Sequence, residues 1–148
     1  MNNQPLITTA SFKLGVFGTH ITQEFSTRIE KLGLSHKQVG LLAIVDAGLA
    51  NSQPDIATQL GIAPSLVVAL ADQLVERGAI TRARSITDRR IQIVQLTPAG
   101  SQLLHECATI AHQLDQEIRK DLSPQAQAAL DLPVSYTHLR AHETEADL

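Results

Sequence analysis

Disulfide staples, aromatic clusters and membrane-length apolar runs are all missing or scarce in this chain. It holds one cysteine, Cys107, no tryptophan, and only 3% aromatic residues. A single thiol excludes an internal disulfide framework and agrees with a reducing compartment. No apolar run approaches the roughly 18 residues of a membrane helix, and the first residues lack the basic start and apolar block of a secretion signal. The expectation is a cytoplasmic protein with no membrane partner. Few aromatics mean that the core must be built from Leu, Ile, Val and Ala. Large net charge is missing too: at −3 the chain is no general polyanion binder.

What is present is a chain of 148 residues, 43% of them hydrophobic, which suits one globular domain with a real core. Its positive charge is unevenly spread. Between Arg77 and Arg90 stand five of the 12 basic residues, Arg77, Arg82, Arg84, Arg89 and Arg90, against one acid, Asp88.

Periodicity sorts the chain into elements. Phe17, Ile21, Phe25, Ile29 and Leu32 recur at helical spacing and predict a buried stripe on a helix over residues 12–32. Ser35 and Gln38 form a capping box that opens a helix carrying Val39, Leu42, Ala43 and Val45 as far as Gly48. Ser52, with Asp55 three residues on, opens a short helix from Pro54 to Leu60. Gly61 ends it, and Pro64 starts the next, whose buried stripe is Leu66, Leu70, Leu74 and Val75. Two short helices joined through Gly61-Ile62-Ala63 predict a helix-turn-helix. The period then changes from 3.6 to 2. Ile80, Ile91, Ile93 and Gln95 alternate as strand residues around a turn at residues 85–88, which is a wing. Thr97-Pro98 opens a long helix with Leu103, Leu104, Ala108, Ala111, Leu114 and Ile118 on one side. Ser123-Pro124 opens a last, short one that ends near Asp131.

The remaining segment, LPVSYTHLRAHETEADL, has no helical stripe and is read as a non-native tail derived from cloning or adapter sequence. It is set aside from functional argument.

This order of elements resembles the multiple-antibiotic-resistance regulator (MarR) family over residues 12–131. The most specific piece is Asp-x-Arg, five residues, Leu-Thr, here Asp88, Arg90, Leu96 and Thr97. The stretches LSHKQVGLL and LVERGAITR are similar to family sequence at the expected places. The resemblance implies a mainly α fold with a small β-hairpin: a winged helix-turn-helix lobe (35–97), an N-terminal dimerisation helix (1–34) and C-terminal dimerisation helices (98–131), ahead of the tail (132–148). It also implies that Arg90 enters the DNA minor groove while Asp88 orients it. A planar guanidinium suits the concentrated negative potential of a narrow groove. Arg82, Arg84 and Arg89 would then meet phosphates, which position without specifying sequence.

The recognition helix departs from the family pattern. Val68 and Ala69 stand where members usually place Ser, Thr or Arg, leaving Ser65 and Gln73 as donors. Bidentate base contacts contribute about 1–3 kcal/mol of discrimination each, and this helix can make few. Sequence reading through thymine methyl groups and DNA shape is expected, with Val67, Val68 and Ala69 as apolar readers. Val67 reads equally well as core.

Other residues point to bland roles. His105 and His112, seven apart on one helix, lack a third metal ligand of suitable spacing and read as part of a packing seam. Cys107 has no cation within a helical turn to lower its pKa and reads as a small buried residue. No phosphate loop and no nucleophile-base-acid set can be assembled, so an enzyme is not expected. The reading is a homodimeric, sequence-specific transcriptional regulator of double-stranded DNA, a repressor, without cofactor or metal. By resemblance, a small aromatic or phenolic effector would change the spacing of the two recognition helices. The alternative is a winged-helix protein-interaction module that no longer reads DNA sequence.

Overall fold

A computed structural model describes residues 4–131; the segment read as a foreign tail lies outside the described residues. Among the described residues, six α-helices and two strands follow in the order α1 (Ala10–Ile29), α2 (His36–Asp46), α3 (Gln53–Leu60), α4 (Pro64–Glu76), β1 (Ile80–Arg84), β2 (Gln92–Leu96), α5 (Pro98–Arg119) and α6 (Pro124–Leu130). The architecture is a mainly helical winged helix with one two-stranded antiparallel sheet. Two compact units divide it, Met1–Gln113 and Leu114–Leu148. No single helix among the described residues is long and apolar enough to cross a membrane.

Local chemistry sets the helix starts. Ser35 and Gln38 exchange side-chain and backbone hydrogen bonds in a complete capping box at α2. At α3 the Ser52 hydroxyl accepts from the Asp55 N–H at 3.2 Å and donates to its carboxylate at 2.7 Å. Gly61 then adopts φ +64°, a left-handed turn that lets the chain leave α3 and enter α4 at once. Thr97 does three jobs at the root of α5. Its N–H donates to the Ala79 carbonyl (3.0 Å), its hydroxyl donates to the Gly78 carbonyl (2.6 Å), and the same oxygen accepts from the Gly100 N–H (3.0 Å). The backbones are so close here that a Cβ on Gly100 would overlap the Ala79 carbonyl.

The core of the first unit is aliphatic. Ile29, Leu41, Leu42, Ile56, Val67, Leu74, Ile80 and Val94 are fully buried, with Cys107 and Ile110 of α5 in the same cluster. Three expectations need correction. On α2 the buried pair is Leu41 and Leu42, whereas Ala43 is exposed, because α2 packs against α1, α3, α4 and β2 rather than burying one stripe. On α4 Val75 is exposed, and Val67 and Ala71 complete the buried face with Leu70 and Leu74. On β2 the buried residue is Val94, with Ile91 and Ile93 only half-buried and Gln95 exposed. The reason for the last lies outside the hairpin. Asn51 lends its carbonyl to the Val94 N–H at 2.7 Å, and Ser52 forms an isolated bridge with Ile93, so a segment before α3 lies along the other edge of β2. The pairing Ile80↔Leu96 and Arg82↔Val94 then sets which face is core, and a shift of one residue changes it.

The α1 stripe is buried only toward its C-terminal end. Ile29 is buried, Ile21, Phe25 and Leu32 are half-buried, and Phe17 is exposed. Leu6, Ile7, Phe12, Leu14 and Val16 are exposed as well, an apolar N-terminal surface among the described residues.

In the second unit Arg119 gathers the chain by pairing with Asp115 (2.8 Å) and Asp131 (2.7 Å). Gln127 adds bonds to the Arg119 and Leu122 carbonyls, at 3.2 and 3.1 Å. Ser123 caps α6 through the Ala126 N–H. Asp131 and Asp115 hold the Arg119 guanidinium well above its ordinary pKa, and the Arg119 guanidinium in turn draws Asp131 below the usual carboxylate range.

Candidate nucleic-acid interface

The five clustered arginines separate into two groups. Arg77, at the end of α4, donates to the Gly33 and Leu32 carbonyls at 2.6 and 2.7 Å, bracing the exit of the first helix. Arg82, in the middle of β1, pairs with Asp72 of α4 at 2.6 Å and donates to the Gln53 side chain of α3 at 3.3 Å. Its guanidinium ties the wing base to the helix-turn-helix. The phosphate role expected for Arg82 from sequence thus meets a side chain already engaged within the fold.

The other three lie toward the wing tip and are exposed. Arg84 reaches the Arg89 carbonyl at 3.5 Å, at the limit of a hydrogen bond. Arg90 makes a two-point pair with Asp88: Nε to Oδ1 and a terminal nitrogen to Oδ2, both at 3.0 Å. The Arg90 N–H also donates to Asp88 Oδ1 at 3.1 Å. This fork geometry fixes the plane of the guanidinium. Its side chain is nevertheless 90% exposed, so it is held in place and still available. The Arg90 hydrogen bonds draw the Asp88 carboxyl below the usual range, and Asp88 raises Arg90 in return.

On α4, Ser65, Val68 and Ala69 face solvent, Val68 being 40% exposed. Val67, one of the two readings left open from sequence, is 0% exposed and belongs to the core. It cannot touch a base edge without leaving its packing. Gln73 is exposed, but its carbonyl oxygen accepts from Gln38 at 2.8 Å, which couples α4 to α2.

The remaining candidates are placed simply. His105 and His112 are both exposed. Cys107 is buried, and burial, with Glu106 beside it, pushes its thiol pKa up despite the opposing effect of Arg77. Such a thiol is a poor nucleophile. Sequence reasoning missed Asp72 and Gln53 as the partners of Arg82, and the exposed wing-tip Ile86. An isoleucine between Ser85 and Thr87 in a turn was the available signal.

Residues 32–91 match the MarR family model. A protein of Thauera aromatica, proposed as a transcriptional regulatory protein for the hcr operon, is 28% identical over 116 residues, 78% of this chain and 70% of that one. The S. aureus MepR–DNA complex is similar in structure with a TM-score of 0.71 at 20% identity, covering 95% of this chain and 98% of that one. CouR from Rhodococcus jostii RHA1, bound to p-coumaroyl-CoA, gives 0.73 at 21% identity, covering 86% and 90%. At such identities the structural likeness shows the fold. The chain's sequence relatives in Thauera aromatica and Bacillus subtilis carry names of transcriptional regulators. Over residues 32–91, which hold the helix-turn-helix and most of the wing, the chain is similar to the MarR family.

Proposed function

We propose that this chain is a sequence-specific repressor that binds double-stranded DNA as a homodimer and releases it on binding a small effector. The carrying observation is Arg90, fixed in orientation by Asp88 at the tip of a wing yet 90% exposed. In the proposed complex Arg90 lies in the minor groove, where a narrow A·T-rich groove attracts a guanidinium. Arg84 and Arg89 meet phosphates. Ser65 contributes a hydroxyl to base edges from α4, while Val68 and Ala69 meet thymine methyl groups. Asp88 acts through Arg90 and not on DNA itself.

The apolar surface around Leu14 and Phe17 supports the dimer. Residues 1–34 and 98–131 are assigned to it, because a single winged lobe is small and two-fold pairing doubles its contacts. No cofactor or metal enters this reading, and the work is placed in the cytoplasm. The phenolic group of CouR's ligand supports an aromatic or phenolic effector class. The switch needs a difference of about 1–3 kcal/mol in effector affinity between two arrangements of the recognition helices.

Selection of binding sites from a random duplex pool tests this, followed by titration at several salt concentrations. Enrichment of an inverted repeat, with affinity falling steeply as salt rises, is the expected result. The exposed apolar pair Val68 and Ala69 favours one competing reading, a protein-interaction module. Uniform recovery, or none, would establish that reading in place of the repressor.

A further inference from the structure

The turn joining the wing strands carries Ile86, which at 99% exposure is the barest of the large apolar side chains among the described residues. The turn is built to hold it there. Ser85 donates its N–H to the Ile91 carbonyl at 2.8 Å, closing the loop. The Ser85 hydroxyl accepts from the N–H groups of Thr87 (3.3 Å) and Asp88 (3.4 Å), and hydrogen-bonds the Thr87 hydroxyl at 3.0 Å. The two polar neighbours of Ile86 are therefore satisfied by each other and by the loop backbone. The isoleucine is left projecting, on a β-branched side chain with few rotamers to lose on binding. Arg84, Arg89 and Arg90 stand in or beside the same tip, and a polyanion is the surface that these charges complement.

We propose that Ile86 is a specificity-determining residue of the wing: it enters the minor groove together with Arg90 and selects A·T over G·C pairs there. The inference rests on the DNA-binding reading above. Its chemistry is steric. The minor-groove floor of an A·T pair presents only acceptors, whereas guanine adds a protruding N2 amino group. A rigid apolar side chain packs against the smooth A·T floor and sugar walls, which present no amino group to displace. Against the amino group it collides and strips water from a donor it cannot satisfy.

The test uses the full chain and a duplex recovered by the site selection. Each A·T pair flanking the recognition half-sites is replaced in turn by G·C or by inosine·C, which has the G·C major-groove edge without the amino group. Wild-type protein should lose about tenfold in affinity at the wing-contacted pairs on G·C replacement, and recover it with inosine. Ile86→Ala should bind the A·T site more weakly, with the G·C penalty shrunk toward twofold or less. Ile86→Val, which keeps the branch, should retain the preference. An unchanged G·C penalty in Ile86→Ala, on a site that wild type binds tightly, would overturn the proposal while leaving the regulator standing. Absence of any selected site would instead remove the DNA-binding reading beneath it.

Discussion

The base and the tip of the wing draw on the same run of arginines and put them to opposite uses. At the base, Arg82 is bound to Asp72 and Gln53, Arg77 is bound to two carbonyls, and Gly100 lies against Ala79 with no room for a Cβ. At the tip, Arg84, Arg89 and Arg90 face solvent, and the Asp88 carboxylate orients the Arg90 guanidinium without covering it. A charge cluster in sequence is thus not one property. Cations satisfied within the fold fix geometry. Those left outside are the ones a nucleic acid can use, and only they should appear in a salt dependence.

The largest way to break this contrast is at the base. Gly100→Ala forces a methyl group into the Ala79 carbonyl, which is backbone and cannot swing aside. Overpacking of this kind costs about 3 kcal/mol or more. A thermal melt should show a fall in Tm beyond about 10 °C, and a Tm within 2–3 °C of wild type would mean that the α5 root is not rigid.

Arg90→Ala works from the other side. Its folding stability should stay within about 0.5 kcal/mol of wild type, as for an exposed position. Its DNA affinity should drop by about 10- to 100-fold, equivalent to 1–3 kcal/mol, and its salt slope should fall by about 1. Titration by fluorescence anisotropy would show this. Equal affinity for variant and wild type would take the wing out of the interface.

Arg82→Ala sharpens the comparison further. Its partner Asp72 is more than half exposed, so the pair is discounted for solvent, and the expected loss is about 0.5–1.5 kcal/mol in urea unfolding. The DNA salt slope should remain that of wild type, whereas Arg84→Ala should lower it by about 1. A reduced slope in Arg82→Ala would return that residue to the phosphate role expected from sequence.

Much of this arrangement was legible because it is local. The Ser35–Gln38 box, the Ser52 cap and the Thr97-Pro98 start each lie within a few residues, so sequence alone names them, whereas the Asp88–Arg90 pair came from the family resemblance. What escaped depends on partners brought from elsewhere. The inward face of β2 is decided by Asn51 and Ser52, some forty residues earlier, and alternation inside the hairpin cannot supply that parity. Val67 lies beside exposed Val68 and has the same chemistry; only the direction of the helix axis separates core from surface. Arg82 looked like its neighbours until Asp72 was brought opposite it. The α1 stripe was correctly periodic, but periodicity does not say whether the surface it meets is in the same chain.

The smallest effect bears on how the tip is held. Hydrogen bonds from the Arg90 side chain, then from its N–H, keep the Asp88 carboxyl below its ordinary pKa, with Asp88 half-buried and Arg90 largely exposed. A carboxyl depressed in the folded state contributes stability that is fully present above its unfolded value, near pH 4. That contribution is lost as pH falls through the lower folded value. Nothing should change between pH 5 and 8. Only as the pH falls through that lower folded value does Asp88 take up a proton, and the fork then opens. Carboxyl NMR should show Asp88 titrating below the ordinary carboxylate value in wild type and returning toward it in Arg90→Ala. If Asp88 titrates normally in both, the fork seen at the tip is not held in solution. Arg90 would then reach the groove as a mobile cation, leaving the wing its charge but not its orientation.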